Sequence, residues 1–162
     1  MEYVHVELKR DTWVYPEMKI NSPKDAVCAV RSLIQDLDRE CVISINTATS
    51  GQVINASIGA IGTMNTAYVS PAELLRTALL SGAYGMVIVH NHPSGASTPS
   101  KEDLYFAKKV ATASQLIGLK LLDFIVIGEL TYSLKEKDEQ WLDPDGAWRS
   151  ADTVSGKGGR ES

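Results

Sequence analysis

The chain has 162 residues, 44% of them hydrophobic, enough to bury one compact core and too few to suggest a second large domain. Its 16 basic residues against 20 acidic ones leave a net charge of −4, so the excess positive charge of a dedicated nucleic-acid binder is missing and nucleic acid is not a favoured partner. No apolar run approaches the roughly 20 residues needed to span a bilayer, and Met1 to His5 lacks the character of a secretory leader, which excludes a membrane span and points to a cytoplasmic protein.

Val4, Val6 and Leu8 alternate with Tyr3, His5 and Glu7, the pattern of a half-exposed first strand. Pro16 to Asn21 reads as a connection, and Ser22-Pro23-Lys24-Asp25 opens a helix whose Val27, Val30, Leu33, Ile34 and Leu37 recur on one face, ready to cover a sheet. Cys41 to Asn46 and Gln52 to Ile58 flank the turn-rich Thr47 to Gly51, which predicts a β-hairpin. A short strand near Thr66–Val69 precedes a helix from Pro71 to about Leu80, opened by the capping box Ser70-Pro71-Ala72-Glu73. Met86 to Val89 is a buried strand, Lys101 to about Leu116 a helix stopped by Gly118, Leu121 to Ile127 another buried strand, and Thr131 to Leu134 a last one. This alternation predicts a single layered α/β domain. Beyond Lys135 the composition turns polar, with Trp141 and Trp148 expected to pack back on the domain and residues 155–162 expected as a disordered tail. Cys28 and Cys41 fall on a helix face and at a strand start, as reduced thiols would.

The chemistry concentrates in His90-Asn91-His92-Pro93-Ser94-Gly95, followed by Pro99-Ser100-Lys101-Glu102-Asp103. Residues two apart on a strand share a face, so His90 and His92 at the end of the Met86–Val89 strand can reach one ion at the ~2.0–2.1 Å of a zinc–nitrogen bond. Pro93 and Gly95 break the strand, Ser100 is placed to cap the next helix, and Asp103 stands in its first turn, where its carboxylate can supply a third ligand and leave a fourth position for water. Ser100-x-x-Asp103 is also a variant capping box that needs no metal.

His-x-His-Pro, six residues, then Ser-x-x-Asp resembles the signature of the JAMM (MPN/JAB) metalloprotease superfamily, matched at His90, His92, Pro93, Ser100 and Asp103. The wider string His-Asn-His-Pro-Ser-Gly, with Tyr68 to Leu75 upstream, resembles its RadC-like bacterial branch from about Pro23 to about Glu136. The resemblance implies a central mixed β-sheet flanked by helices, similar to the JAMM and cytidine-deaminase-like fold, in a domain of residues 23–136. Residues 1–22 would then be an N-terminal strand and connection, 137–154 a C-terminal extension and 155–162 the tail. It further implies one zinc per chain held by His90, His92 and Asp103, and a glutamate that deprotonates the attacking water. Spacing alone leaves Glu17, Glu40 and Glu73 open for that role; the superfamily places it where a helix gives way to the first core strand, which points to Glu40 before Cys41-Val42-Ile43. Ser100 would hydrogen-bond the developing oxyanion, and the reaction would be hydrolysis of a peptide or isopeptide bond in a protein or peptide substrate.

Two departures bear on the expectation. Longer RadC-like proteins carry an N-terminal helix-hairpin-helix region for which there is no room before Pro23, and the branch commonly has Asp-His where Asp123-Phe124 stands here. Two other readings stand beside a peptidase: a zinc-containing interaction module that cleaves nothing, and a DNA-processing accessory.

Overall fold

Two runs rich in β-branched residues organise the molecule. In the computed structural model, which describes residues 1–9, 17–34, 37–62 and 70–137, β1 (Cys41–Thr47) and β3 (Gly85–Asn91) are buried at every position. Strands of that kind must be covered on both faces, so they take the centre of a sheet. β2 (Val53–Ile61) folds back antiparallel on the outer side of β1, and β4 (Lys120–Ile127) lies parallel to β3 on its other side. β5 (Thr131–Ser133) closes the order β2-β1-β3-β4-β5. The parallel pair needs a crossover, supplied by α3 (Lys101–Leu116). The result is a mixed five-stranded sheet flanked by helices in a single α/β domain.

Alternation sends the side chains of β1 and β3 to two cores. Ile43, Ile45, Val87 and Val89 pack under α1 (Pro23–Ile34), which contributes Ala26, Ala29 and Val30. Val42, Met86 and Ile88 pack on the other face under α2 (Pro71–Leu80) and α3. In β4 the register slips by one residue, Met86 pairing with Leu121 but Val87 with Asp123. That bulge flips the alternation, so Leu121 and Phe124 both reach the core under α3. Phe124 sits edge-on to Phe106 at 6.5 Å, as a core residue.

Asp123, beside it, accepts from the backbone N–H of Phe124 at 2.8 Å and of Lys135 at 3.0 Å, and from the Ser133 hydroxyl at 2.6 Å. It ties β4 to β5 and the short α4 (Leu134–Lys137), while burial pushes its carboxyl above the usual carboxylate range.

The expected first strand does not form. Residues 1–9 take no regular structure, with Val4 75% and Val6 69% exposed, because an alternating stripe gains nothing without a neighbouring strand or a core to bury it. The connection before α1 pairs with the start of β2 instead, through Ile20 N–H to Gly51 and Val53 N–H to Met18. The strand expected near Thr66–Val69, Trp141, Trp148 and the tail lie outside the described residues.

Candidate metal centre

His90 follows Ile88 by two positions and shares its face, the one covered by α3; it is 1% exposed. The antiparallel pairing of β1 with β3 sets Val42 opposite His90 and Cys41 opposite Asn91, so Glu40, immediately ahead of β1, arrives at the same end of the sheet. α3 begins there too. Ser100 caps it with a complete capping box: the Ser100 hydroxyl accepts from Asp103 N–H at 3.1 Å, and the Asp103 carboxylate accepts from Ser100 N–H at 2.7 Å. The same hydroxyl donates to Asp103 Oδ2 at 2.7 Å. Asp103 is 2% exposed, and both its oxygens face the histidines, Oδ2 while it accepts from Ser100.

Both imidazoles are locked by carbonyl oxygens. His90 Nδ1 lies 3.1 Å from the Cys41 carbonyl, and His92 Nδ1 2.8 Å from that of Ala96. A carbonyl only accepts, so each Nδ1 carries a proton and Nε2 is the atom left to each ring for a ligand role. Those two nitrogens each stand 3.4 Å from an Asp103 oxygen, His90 facing Oδ1 and His92 facing Oδ2. Burial pushes the His90 pKa below its usual value, against the raising effect of Asp103, so the ring is neutral at pH 7. A neutral ring therefore turns a lone pair toward a buried carboxylate, an arrangement that a cation between them relieves. Glu40 joins the same group: one ligand atom each from Glu40, His90 and His92 lie within 4.8 Å of one another. Nitrogen and carboxylate oxygen in this number suit zinc, with a carbonyl behind each histidine as metal sites commonly have.

The loop after β3 is clamped from β4. His92 N–H donates to the Ile127 carbonyl at 2.7 Å, Glu129 N–H to Gly95 at 2.8 Å, and Leu130 N–H to the Ser97 hydroxyl at 2.8 Å. Gly128 packs so closely that an added Cβ would lie 2.6 Å from the Ala96 carbonyl carbon and nearer still to the Gly95 and Ala96 oxygens. The Ala96 carbonyl that Gly128 approaches is the one bonded to His92 Nδ1.

Of the residues singled out by sequence, Glu40, His90, His92, Ser100 and Asp103 converge. Glu73 is in an ion pair with Arg76 at 2.9 Å on α2, and Glu17 and Glu102 are exposed. Cys41 keeps its thiol in the core under α1, on the opposite face of β1 from Val42, where burial raises its pKa. Sequence reasoning passed over Asn91, which fills the odd position between the histidines, and Gly128, whose only signal is a glycine after a buried strand.

A family model described as a RadC-like JAB domain matches residues 20–140. The chain belongs to the RadC-like JAB family. Among its relatives in the family, a UPF0758 protein of Desulforamulus reducens is 40% identical over 73% of this chain and 52% of its own length. A UPF0758 protein of Carboxydothermus hydrogenoformans is 43% identical over 72% of this chain and 52% of its own. One from Methanosarcina mazei is 34% identical over 75% and 54%. The chain thus spans about half the length of the curated relatives it matches, and their names specify no reaction. Among the described residues, no helix of this RadC-like domain is long and apolar enough to cross a membrane.

Proposed function

We propose that this RadC-like JAB domain is a zinc-dependent hydrolase of peptide or isopeptide bonds, acting in the cytoplasm on a protein or peptide substrate. The observation that carries the reading is the pair of imidazole Nε2 atoms held 3.4 Å from one buried carboxylate. His90, His92 and Asp103 would hold one zinc ion. When bound, the ion supplies a Lewis acid that polarises a carbonyl and makes water a nucleophile near neutral pH. Glu40, within reach of both imidazoles, takes a proton from the attacking water and returns it to the leaving amine, as general base and then general acid. Ser100 turns its hydroxyl from Asp103 to the oxygen of the scissile carbonyl as charge gathers there, a contact worth ~10²–10³ in rate when aligned.

Beside His92 and Pro93, Val27, Arg31, Ile34 and Ile127 line an open cleft of about 290 Å³, to which this reading assigns the substrate. Two free cysteines, Cys28 and Cys41, agree with a reducing compartment.

The decisive experiment is the zinc content of purified protein, with hydrolysis of peptide and isopeptide libraries measured for wild type and Glu40→Gln. The proposal expects about one zinc per chain, abolished in His90→Ala/His92→Ala, and a Glu40→Gln protein that keeps zinc but no longer cleaves. Zinc retained by the double histidine variant would remove the centre; a metal-loaded wild type inert on every bond, with Glu40→Gln unaltered in partner binding, would make it a structural zinc module.

A further inference from the structure

Asn91 stands between the two histidines, at the position that alternation along β3 gives to the opposite face, and it is 7% exposed. Its carboxamide reaches across to the chain on either side of Glu40. Oδ1 accepts from Cys41 N–H at 2.6 Å, and Nδ2 donates to the Arg39 carbonyl at 3.2 Å. The carbonyl of Glu40 itself accepts from Gly62 N–H at 2.8 Å. Three of the four polar backbone groups in the two peptide units that flank the Glu40 α-carbon, the Arg39 carbonyl, the Glu40 carbonyl and the Cys41 N–H, are thereby tied down.

The main-chain ladder between β1 and β3 ends at the pair Cys41 and Asn91. Beyond that pair the Asn91 side chain continues the ladder by one residue, bonding the chain on both sides of Glu40. Only a carboxamide offers one acceptor and one donor at the spacing of a peptide group.

We propose that Asn91 is a positioning residue: by bracketing residues 39 and 41 it sets where the Glu40 carboxylate stands relative to His90 and His92. This rests on the reading of Glu40 as the proton-transferring group of a metal centre. The inference concerns backbone placement, so it is separable from the ligands themselves, which neither bond of the Asn91 side chain touches.

The test uses the full chain loaded with Co²⁺, whose visible spectrum reports the surroundings of the ion. Spectra and affinities are compared for wild type, Glu40→Gln, Asn91→Ala, Asn91→Asp and Asn91→Ala/Glu40→Gln, with thermal unfolding to confirm that each is folded. Asn91→Asp keeps an acceptor for Cys41 N–H and loses only the donor, so it stands in should Asn91→Ala fail to fold.

The expected result is a Glu40→Gln spectrum distinct from wild type, Asn91 variants shifted in the same direction with affinity changed by roughly ten-fold or less, and a double variant that matches Glu40→Gln alone, because coupled residues are not additive. A shift in the double variant equal to the sum of the two singles, or Asn91 variants with wild-type spectra beside an altered Glu40→Gln, overturns the positioning role and leaves the metal centre standing. A silent Glu40→Gln removes Glu40 from the centre and overturns both.

Discussion

Gly128→Ala tests whether β4 holds the loop of the candidate metal centre in place. The added methyl would meet the Ala96 carbonyl carbon at 2.6 Å and the two carbonyl oxygens beside it. All of these are backbone atoms, so no side-chain rotation relieves the contact. Restoring ordinary carbon contact near 3.5 Å requires the loop to retreat by roughly 1 Å. The Ala96 carbonyl holds His92 Nδ1 at 2.8 Å, and a shift of that size between the two would carry the pair past hydrogen-bond range. Metal–ligand distances tolerate about 0.2 Å, so His92 loses both its tautomer lock and its placement.

The overpacking should lower stability by about 1–3 kcal/mol, and loss of the carbonyl behind a ligand should weaken zinc binding by about 10–100-fold. Unfolding of the metal-free protein in denaturant measures the first. Competition for zinc against a chromophoric chelator, at a temperature where the variant remains folded, measures the second. A Gly128→Ala protein that binds zinc as tightly as wild type refutes the clamp, whatever its stability; one with wild-type stability as well refutes the packing on which the estimate rests.

Ser100→Ala removes the acceptor for Asp103 N–H and the donor to Asp103 Oδ2, and should cost about 1 kcal/mol of stability as a lost N-cap; unchanged denaturation midpoints would contradict the capping role. Asp25 accepts from Asn21 N–H and from the Ser22 N–H and hydroxyl at the start of α1, and the Asn21 bond leads in holding its carboxyl below the ordinary 3.8. A depressed carboxyl binds its proton more readily in the unfolded chain, so the stability it contributes is present above pH 3.8 and is lost as pH falls through the depressed value. Melting temperatures of wild type and Asp25→Asn should therefore differ at pH 6 and converge in strong acid, and a difference that persists or grows there would reverse the sign.

Much of the site was legible because it is local. Period-two spacing put His90 and His92 on one face of a strand, and Ser100-x-x-Asp103 announced a helix start whose box proved complete. The runs around Ile43 and Ile88 announced buried strands, and their hydrophobicity on both faces required helices above and below. The first strand was misread for the converse reason: Val4 and Val6 have the local pattern of a strand, but among the described residues no strand pairs with them.

Three things follow from tertiary pairing rather than from local pattern, and for Glu40 the family resemblance alone had pointed the way. Glu40 could not be chosen over Glu17 or Glu73 by spacing, because its place depends on β1 lying antiparallel to β3 across a separation of some fifty residues. The role of Asn91 depends on the same pairing, since a carboxamide finds its donor and acceptor only where the ladder stops. Gly128 matters through its contact with Gly95 and Ala96, after β4 has come alongside β3. Sequence patterns encode which face a residue takes and where an element begins, for those follow from the repeat of one backbone; which elements become neighbours follows from how the faces bury one another.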